Sequence, residues 1–250
     1  MSRRLRAFSI HLGVSAGVAA LAAVVVFLVW YPPPYGVAAG GLTLFLILVS
    51  ADVVLGPTLT AVVASAGKPI SELRRDIAVI ALVQALGFAY GVYSIAMARP
   101  VYMVFEVDRF RVVSAADVDP SALGGALPQF RELPWTGPRL IAARPSANGD
   151  EKLRSLDLSL QGIDLGMQPD HWVEYDTMLT AVEARVRPAD ALLQRYPAVA
   201  GEAGKAAAKA GVDVAALRFL PVMSRRGDGV ALLAPADMRI VGYLQVDGFF

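Results

Sequence analysis

Few residues in this chain of 250 could do chemistry, and the sharpest candidate is an acid inside an apolar run. Asp52 interrupts the otherwise apolar segment Leu42–Ala64. A carboxylate at the centre of a bilayer costs roughly 2.5–3.5 kcal/mol on insertion scales, so it normally faces other helices or a water pocket. Two interpretations stay open. Asp52 receives a cationic group from a partner helix, or it is a protonated acid that bonds only Tyr90 or a backbone carbonyl.

The rest of the sequence offers little for catalysis or metal binding. It contains 2 His and 0 Cys, which excludes disulfides, thiol catalysis and zinc–thiolate sites. His171 lies beside Asp170 and Glu174 and is expected at the surface rather than as a metal ligand. Glu106 and Asp108 alternate along a predicted strand, as solvent-exposed groups do. The sequence has no nucleophile elbow, phosphate-binding loop or dinucleotide fingerprint, so we expect no enzyme activity, metal or cofactor.

Composition divides the chain into two unlike halves. It is 56% hydrophobic and 18% charged, whereas soluble domains are about 45–50% apolar and about 25% charged. The apolar excess lies before Arg99, which predicts a transmembrane domain over residues 1–99 and a soluble domain over residues 100–250. The formal net charge is +1 and there is no long basic run, so nucleic acid is excluded as a partner.

Three apolar segments are long enough to cross a bilayer. They are Phe8–Tyr31, Leu42–Ala64 and Ile77–Ala98, and at about 1.5 Å per residue each covers a hydrocarbon core of roughly 30 Å. Apolar residues surround each segment instead of forming one stripe, which is typical of helices embedded in lipid. A cleavable signal peptide is the alternative for the first segment, but its apolar stretch is too long and two more spans follow.

Loop charges predict the orientation of these spans. The loop between spans one and two is uncharged, whereas the other two flanks are basic through Arg3, Arg4, Arg6, Lys68, Arg74 and Arg75. Because positive residues favour the cytoplasmic side, we expect a cytoplasmic N-terminus and a soluble domain outside the membrane, in the periplasm of a Gram-negative cell. The outer end of span one carries the aromatic residues expected at an interface, Trp30, Tyr31 and Tyr35.

Two glycine pairs could let helices approach closely in lipid. Span one contains Gly13-x-x-x-Gly17 and span three contains Gly87-x-x-x-Gly91. Faces of small residues promote helix association in bilayers. Each pair could pack within this chain, as a three-helix bundle, or against a helix of another protein.

Counting residues from the cytoplasmic ends of spans two and three predicts polar bridges between them. Asp52 comes level with Tyr90, and Thr58 comes level with Gln84, at about 1.5 Å per residue. We therefore expect an Asp52–Tyr90 pair and a Thr58–Gln84 pair. Gly56-Pro57 follows Asp52 within about one turn and favours a kink there.

The soluble half has strand patterns at both ends and helical patterns between them. A hairpin is predicted from Val101–Glu106 and Arg109–Val113, and Asp119-Pro120 is typical of a helix start. Further strands are predicted over Pro138–Ala143 and in the last third, over Leu217–Met223, Val230–Leu233 and Met238–Gln245. Strands separated from helices in this way indicate an α+β domain, and we expect a mainly antiparallel sheet.

The N-terminal half resembles a known family. The residues that carry the resemblance are Trp30–Tyr35, Asp52–Pro57, Gly67-Lys68, Asp76–Gln84, Tyr90-Gly91 and Arg99–Val113. Together these segments resemble the TfpX/TfpZ type IV pilin accessory proteins over about the first 115 residues. The resemblance implies a protein of the bacterial inner membrane that assists a type IV pilin as a chaperone or stabiliser, with the pilin and the lipid bilayer as its partners.

The partner hypothesis names two contact regions. In the membrane, Asp52, Tyr90 and the two glycine faces are the candidate residues for binding the pilin helix. Outside it, the Val101–Val113 hairpin is the candidate for binding the pilin head.

Two rival functions remain. One is a membrane-anchored sensor or ligand-binding protein, although the predicted cytoplasmic segments are too short for an output module. The other is an enzyme at the outer face, for which Glu106, Asp108 and Arg109 are the available groups.

Overall fold

A computed structural model describes residues 3–32, 41–64, 69–225 and 227–250. The chain separates into two compact units, with bounds Met1–Val29 and Gly41–Met97 for the first and Trp30–Gly40 and Ala98–Phe250 for the second. We call these the helical unit and the α+β unit. Tyr35 and Lys68, which entered the arguments on the aromatic belt and on orientation, lie outside the described residues.

The helical unit contains the three expected apolar helices. Helix α1 spans Arg3–Val24 and continues as a π-helical turn, Val25–Trp30. The second rod consists of α2 (Gly41–Ser50), a π-helical turn (Ala51–Leu55) and α3 (Gly56–Val63). Helix α4 spans Ile70–Ala98 and so begins before the predicted Ile77. In the described part of the chain, 3 helical segments are apolar and long enough to cross a membrane.

The irregular turn in the second rod coincides with the predicted break at Gly56-Pro57. Proline has no backbone N–H and its ring crowds the preceding turn of an α-helix. The chain meets this constraint with the π-helical turn Ala51–Leu55 directly before the proline. Such turns often occur at functional sites, and this one holds Asp52.

The α+β unit is built on one 8-stranded sheet. The strands are β1 (Pro100–Glu106), β2 (Arg109–Ser114), β3 (Arg139–Ala143), β4 (Trp172–Glu174), β5 (Arg187–Pro188), β6 (Arg218–Met223), β7 (Gly229–Leu233) and β8 (Ile240–Leu244). Their order is β4-β3-β1-β2-β6-β7-β8, and β5 also pairs with β6. The helices are α5 (Gly149–Leu160), α6 (Leu179–Glu183), α7 (Ala189–Arg195) and α8 (Ala200–Ala210).

The sheet is mixed, so the expectation of a mainly antiparallel sheet was wrong. Strand β1 pairs with β3 in parallel and β2 pairs with β6 in parallel, and both pairings lie at the centre of the strand order. Parallel partners require long connections. The segment between β2 and β3 and the helical segment between β4 and β6 provide them. Strand patterns in the sequence report which residues are buried but not which strands become neighbours.

Two apolar clusters hold the sheet. One lies around β1 and β3 and includes Tyr102, Phe130 and Trp172, whose rings pack edge-on or tilted. The other lies between β6–β8 and the helices α7 and α8, and includes Leu192 and Phe219. Full burial of a large apolar side chain contributes about 1.5–3 kcal/mol, so these two clusters account for much of the stability of the unit.

Candidate partner-binding site

A polar contact links the second rod to α4, but not through the expected residues. The Gln84 Nε2 atom donates to Asp52 Oδ1 at 3.2 Å and to the Asp52 carbonyl at 3.3 Å. Tyr90, the expected partner of Asp52, is 73% exposed. Thr58 donates to the Val54 carbonyl of its own rod at 2.7 Å. The Asp52–Tyr90 and Thr58–Gln84 pairs were therefore wrong, although Asp52 and Gln84 do bridge the two segments.

Glycines explain why Gln84 and not Tyr90 reaches Asp52. A Cβ atom added to Gly56 would overlap the Gln84 side-chain amide, and one added to Gly91 would overlap the Leu48 side chain. These two contacts show that the side of α4 that carries Gln84 and Gly91 faces the second rod. Residue counting estimated the depth of each residue along the helices to within about two turns. It could not predict how each helix is rotated about its axis, and this rotation places the Tyr90 side chain on an outer side of α4.

The polar contact is incompletely satisfied. Gln84 Oε1 is buried and has no hydrogen-bond partner among the described residues, and it belongs to the same amide that donates to Asp52. A buried acceptor without a donor costs about 1–3 kcal/mol. The Gln84 oxygen is enclosed, whereas the Asp52 residue is half-buried. Asp52 is therefore the acceptor of this contact that a donor or cation from another helix could reach.

Helices α1 and α3 pack through small residues that the sequence interpretation missed. The buried small residues recur every four positions: Ser15 and Ala19 in α1, and Gly56, Thr60 and Ala64 in the second rod. His11 Nδ1 lies 2.6 Å from Thr60 Oγ1 across the same interface. Small-x-x-x-small spacing was the available signal, and attention to glycine pairs alone overlooked it.

The predicted glycine faces are mostly unfilled. No described atom lies within 4 Å of a Cβ built at Gly13, Gly17 or Gly87. At about 100° per residue, Gly13 and Gly17 lie on the side of α1 opposite Ser15 and Ala19. Gly91 alone of the four packs inside the described unit, against Leu48. Helix α1 therefore has one face of small residues that packs against the second rod and a second face, with Gly13 and Gly17, that no described residue contacts.

His171 is fully buried, so its expected surface position was wrong. Its Nδ1 atom lies 3.1 Å from Asp170 Oδ1, and its Nε2 atom lies 3.4 Å from Ser155 Oγ. Ligand atoms of His171, Asp170 and Glu151 lie within 4.8 Å of one another, a spacing that a metal ion could bridge.

Arginines already balance the charge of this cluster. Arg144 donates to both Glu151 oxygens at 2.7 and 3.1 Å, and Arg154 donates to Asp170 at 2.6 Å. The hydrogen bond from Arg144, joined by the Ala147 N–H, lowers the pKa of Glu151 to about 2. The arrangement is that of a structural ion-pair network that ties α5 to the end of β3.

Glu106 is also buried, which corrects the expectation that this carboxylate faces solvent. Arg111 Nε donates to it at 2.8 Å and the Gly166 N–H donates to it at 2.6 Å. Asp108 pairs separately with Arg109, whose Nε donates at 2.7 Å. The structure thus divides the candidate groups for an outer-face enzyme between two ion pairs.

The strands of the β1–β2 hairpin, the region predicted to bind the pilin head, are mostly buried in the sheet. Every residue of β1 is buried, and β1 has β2 on one side and β3 on the other. The exposed apolar residues of the α+β unit include three leucines on one side of α5: Leu153, Leu156 and Leu160. The turn of the hairpin at Val107 is 64% exposed, and binding of the pilin head by the hairpin stays a prediction.

Together, fold and site define a protein with three helices of membrane-spanning length, a glycine face of α1 without a described neighbour, a half-buried acid bonded to a glutamine of the next helix, and an α+β unit on a mixed sheet. Two curated proteins of Dichelobacter nodosus, described as "Fimbrial assembly protein, serogroup I" and "serogroup E1", are 35% and 33% identical to the chain over 241 residues each. Both alignments cover 96% of this chain and 94% of the relative.

A third protein of that organism, described as "Fimbrial assembly protein, serogroups C1 and C2", is 41% identical over 109 residues, or 44% of this chain and 83% of the relative. The family model "Fimbrial assembly protein FimB" matches residues 1–40. The chain belongs to the FimB family of fimbrial assembly proteins. No solved structure matches it.

Proposed function

We propose that this protein is an accessory protein of the bacterial inner membrane that binds and stabilises a type IV pilin subunit for pilus assembly. The observation that carries the proposal is the open Gly13/Gly17 face of a helix whose opposite face is filled. A role in pilus assembly is supported by relatives described as fimbrial assembly proteins that align over nearly the whole chain. The resemblance to TfpX/TfpZ proteins supports pilin as the client.

In this proposal the three helices cross the inner membrane. Their length and apolarity support insertion, and the arginines before span one and before span three support a cytoplasmic N-terminus. The α+β unit then lies in the periplasm. A reporter enzyme fused after Phe250 should be active only if exported, and the chain should resist carbonate extraction. Activity confined to the cytoplasm would refute this orientation.

The pilin helix binds in the membrane. Glycines let two helix backbones approach closely, so that van der Waals contacts replace lipid contacts. The Gly13/Gly17 face and Gly87 provide such surfaces. The half-buried Asp52 adds a polar contact, because a carboxylate within the membrane favours a donor or cation over lipid.

The pilin head binds outside the membrane, at the leucine side of α5. Leu153, Leu156 and Leu160 are 67%, 57% and 81% exposed, respectively. Their spacing places them along one side of the helix, while Ser155 faces the interior. An apolar stripe exposed to water marks an interaction surface, and in the proposed complex the head covers it.

Co-purification of the pilin from membranes tests the helix contact. Changing Gly13→Leu together with Gly17→Leu should reduce pilin recovery several-fold, since leucines would hold a partner helix away. Ala16→Leu is the matched control, because Ala16 is also exposed on α1 and lies between the packed and open faces. Undiminished recovery with the double variant would refute the assigned face.

The head contact is tested in the same assay. Leu156→Gln with Leu160→Gln should lower pilin recovery while leaving the thermal unfolding of the chain unchanged, because both side chains are exposed. Leu127→Gln, at another exposed leucine, serves as control. Equal recovery for all three proteins would exclude this stripe as the head-binding surface.

A further inference from the structure

A tryptophan of the α+β unit is exposed beside the residue that follows the last apolar helix. Trp135 is 69% exposed, and the guanidinium of Arg99 lies 4.9 Å from the centroid of its ring. Arg99 Nη2 also approaches the Pro134 carbonyl at 3.5 Å. Arg99 follows Ala98, the last residue of α4, in the chain. The contact therefore ties the 134–135 segment to the point where the chain leaves α4.

The sheet topology brings this segment to the same place. Strand β1 begins at Pro100, and β3 runs parallel to it with Tyr102 opposite Arg139. Parallel strands start at the same edge of a sheet. The segment that leads into β3, including Trp135, must therefore approach the edge at which β1 starts. The end of β2 is there too, since the Ala115 N–H donates to the Arg99 carbonyl at 3.0 Å.

The chemistry of Trp135 suits a lipid interface better than water. Its indole N–H takes part in no hydrogen bond among the described residues, and its ring has only the cation of Arg99 as a specific contact. Tryptophan combines an apolar ring with one donor, and it is enriched at the boundary between hydrocarbon and headgroups. That headgroup layer is roughly 5–8 Å thick on each side of the bilayer. A residue directly after a spanning helix lies within it.

We propose that Arg99, Pro134 and Trp135 form a juxtamembrane edge of the α+β unit, and that Trp135 anchors this edge in the lipid headgroup layer. The inference rests on one part of the proposed function, the crossing of the membrane by α4. It does not depend on the pilin. Arg99 is buried within the unit and fixes the position of the Trp135 ring. The ring of Trp135 lies at the level of the glycerol backbone.

Fluorescence quenching of the full-length protein in vesicles tests the proposal. The vesicles contain phosphatidylethanolamine and phosphatidylglycerol, with bromine on the acyl chains near the headgroup. Comparison of the unmodified chain with Trp135→Phe isolates the signal of Trp135 and leaves the core residue Trp172 untouched. The Trp135 component should be quenched by bromolipid, emit at shorter wavelength than indole in water, and be protected from aqueous iodide.

Two control tryptophans report membrane insertion of the helices and the distance of the far end of β1 from the bilayer. Leu28→Trp in the Trp135→Phe background places a tryptophan at a position of the helical unit that is 70% exposed, and it reports insertion of the helices. Val107→Trp in the Trp135→Phe background places a tryptophan at the far end of β1, roughly 20 Å from Pro100 at about 3.3 Å per residue; Val107 is 64% exposed. This tryptophan should be quenched by iodide and not by bromolipid.

Bromolipid quenching of the tryptophan at position 28 without quenching of Trp135 would overturn the juxtamembrane edge while leaving membrane insertion intact. Absence of bromolipid quenching at both positions would refute insertion, and the inference with it. Equal bromolipid quenching at positions 107 and 135 would also overturn the assignment, because the contact would then not be specific to this edge.

Discussion

The side-chain amide of Gln84 donates to both the carboxylate and the carbonyl of Asp52. It occupies the space that a side chain at residue 56 would need. Gly56 therefore leaves room for the Gln84 amide, and the amide fixes the position of the half-buried Asp52 carboxylate between the second rod and α4.

The first prediction concerns the charge of Asp52. The Asp52→Asn side chain can still accept a hydrogen bond from Gln84, but it cannot form an ion pair. If Asp52 binds a cationic group of the pilin helix, this variant should lower pilin recovery from membranes several-fold at an unchanged level of the protein itself. Thr58→Val is the control, because Thr58 is exposed and bonds only within its own rod. Full recovery with Asp52→Asn would show that one hydrogen bond suffices.

A second prediction separates the packed and open faces of α1. Ala19→Leu should destabilise the helical unit by about 1–3 kcal/mol, because Ala19 is buried and a larger side chain would displace its neighbours. Ala16→Leu should have little effect, since Ala16 is exposed. Unfolding of the chain in mixed detergent and dodecyl sulfate micelles, followed by far-UV circular dichroism, measures the difference. Equal stability of the two variants would contradict the assigned faces.

Gly166 supports a third prediction. A Cβ atom there would lie 2.8 Å from Glu106 Oε2 and 3.3 Å from Val104 Cβ, so Gly166→Ala should displace the buried carboxylate and cost about 1–3 kcal/mol. Gly204→Ala is the matched control, since no described atom lies within 4 Å of its Cβ and it lies inside α8. That change should stabilise by about 0.5–1 kcal/mol. Urea unfolding in detergent, followed by near-UV circular dichroism, measures both; a stable Gly166→Ala variant would rule out the tight packing.

A fourth prediction follows from the ion pair between Glu151 and Arg144. The hydrogen bond from Arg144 lowers the pKa of Glu151 from 4.5 to about 2 in the folded chain. A carboxyl with a lowered folded-state pKa contributes stability that is complete above its unfolded pKa and is lost as the pH falls through its folded pKa. The free energy of unfolding should therefore decrease between about pH 4.5 and about pH 2.

The Glu151→Gln variant should show a smaller decrease over this pH range, because the titrating group is gone. Glu202→Gln, at an exposed position on α8, controls for the loss of a carboxylate. Urea unfolding at a series of pH values provides the comparison. Parallel pH profiles for the unmodified chain and Glu151→Gln would show that the pair does not couple folding to protonation.

Several elements of the fold could be predicted because their signals are local. Long apolar segments predicted the three helices of the helical unit. The Val107-Asp108 turn predicted the β1–β2 hairpin, and the Asp119-Pro120 pair predicted a helix start that the structure places at Pro120. In each case one stretch of chain contains both the signal and the structure, so no knowledge of distant neighbours is needed.

Of the candidate site, the sequence alone determined that Asp52 is an acid in an apolar helix and that small residues recur along α1. Tertiary structure decided that Gln84 is the partner of Asp52, that Ser15 and Ala19 rather than Gly13 and Gly17 form the filled face, and that the sheet is mixed. It also decided that Glu106 and His171 are buried. The physical reason is that hydrophobic periodicity reports how one element is buried, whereas partners depend on the rotation of helices and the order of strands, which only the packing of distant segments sets.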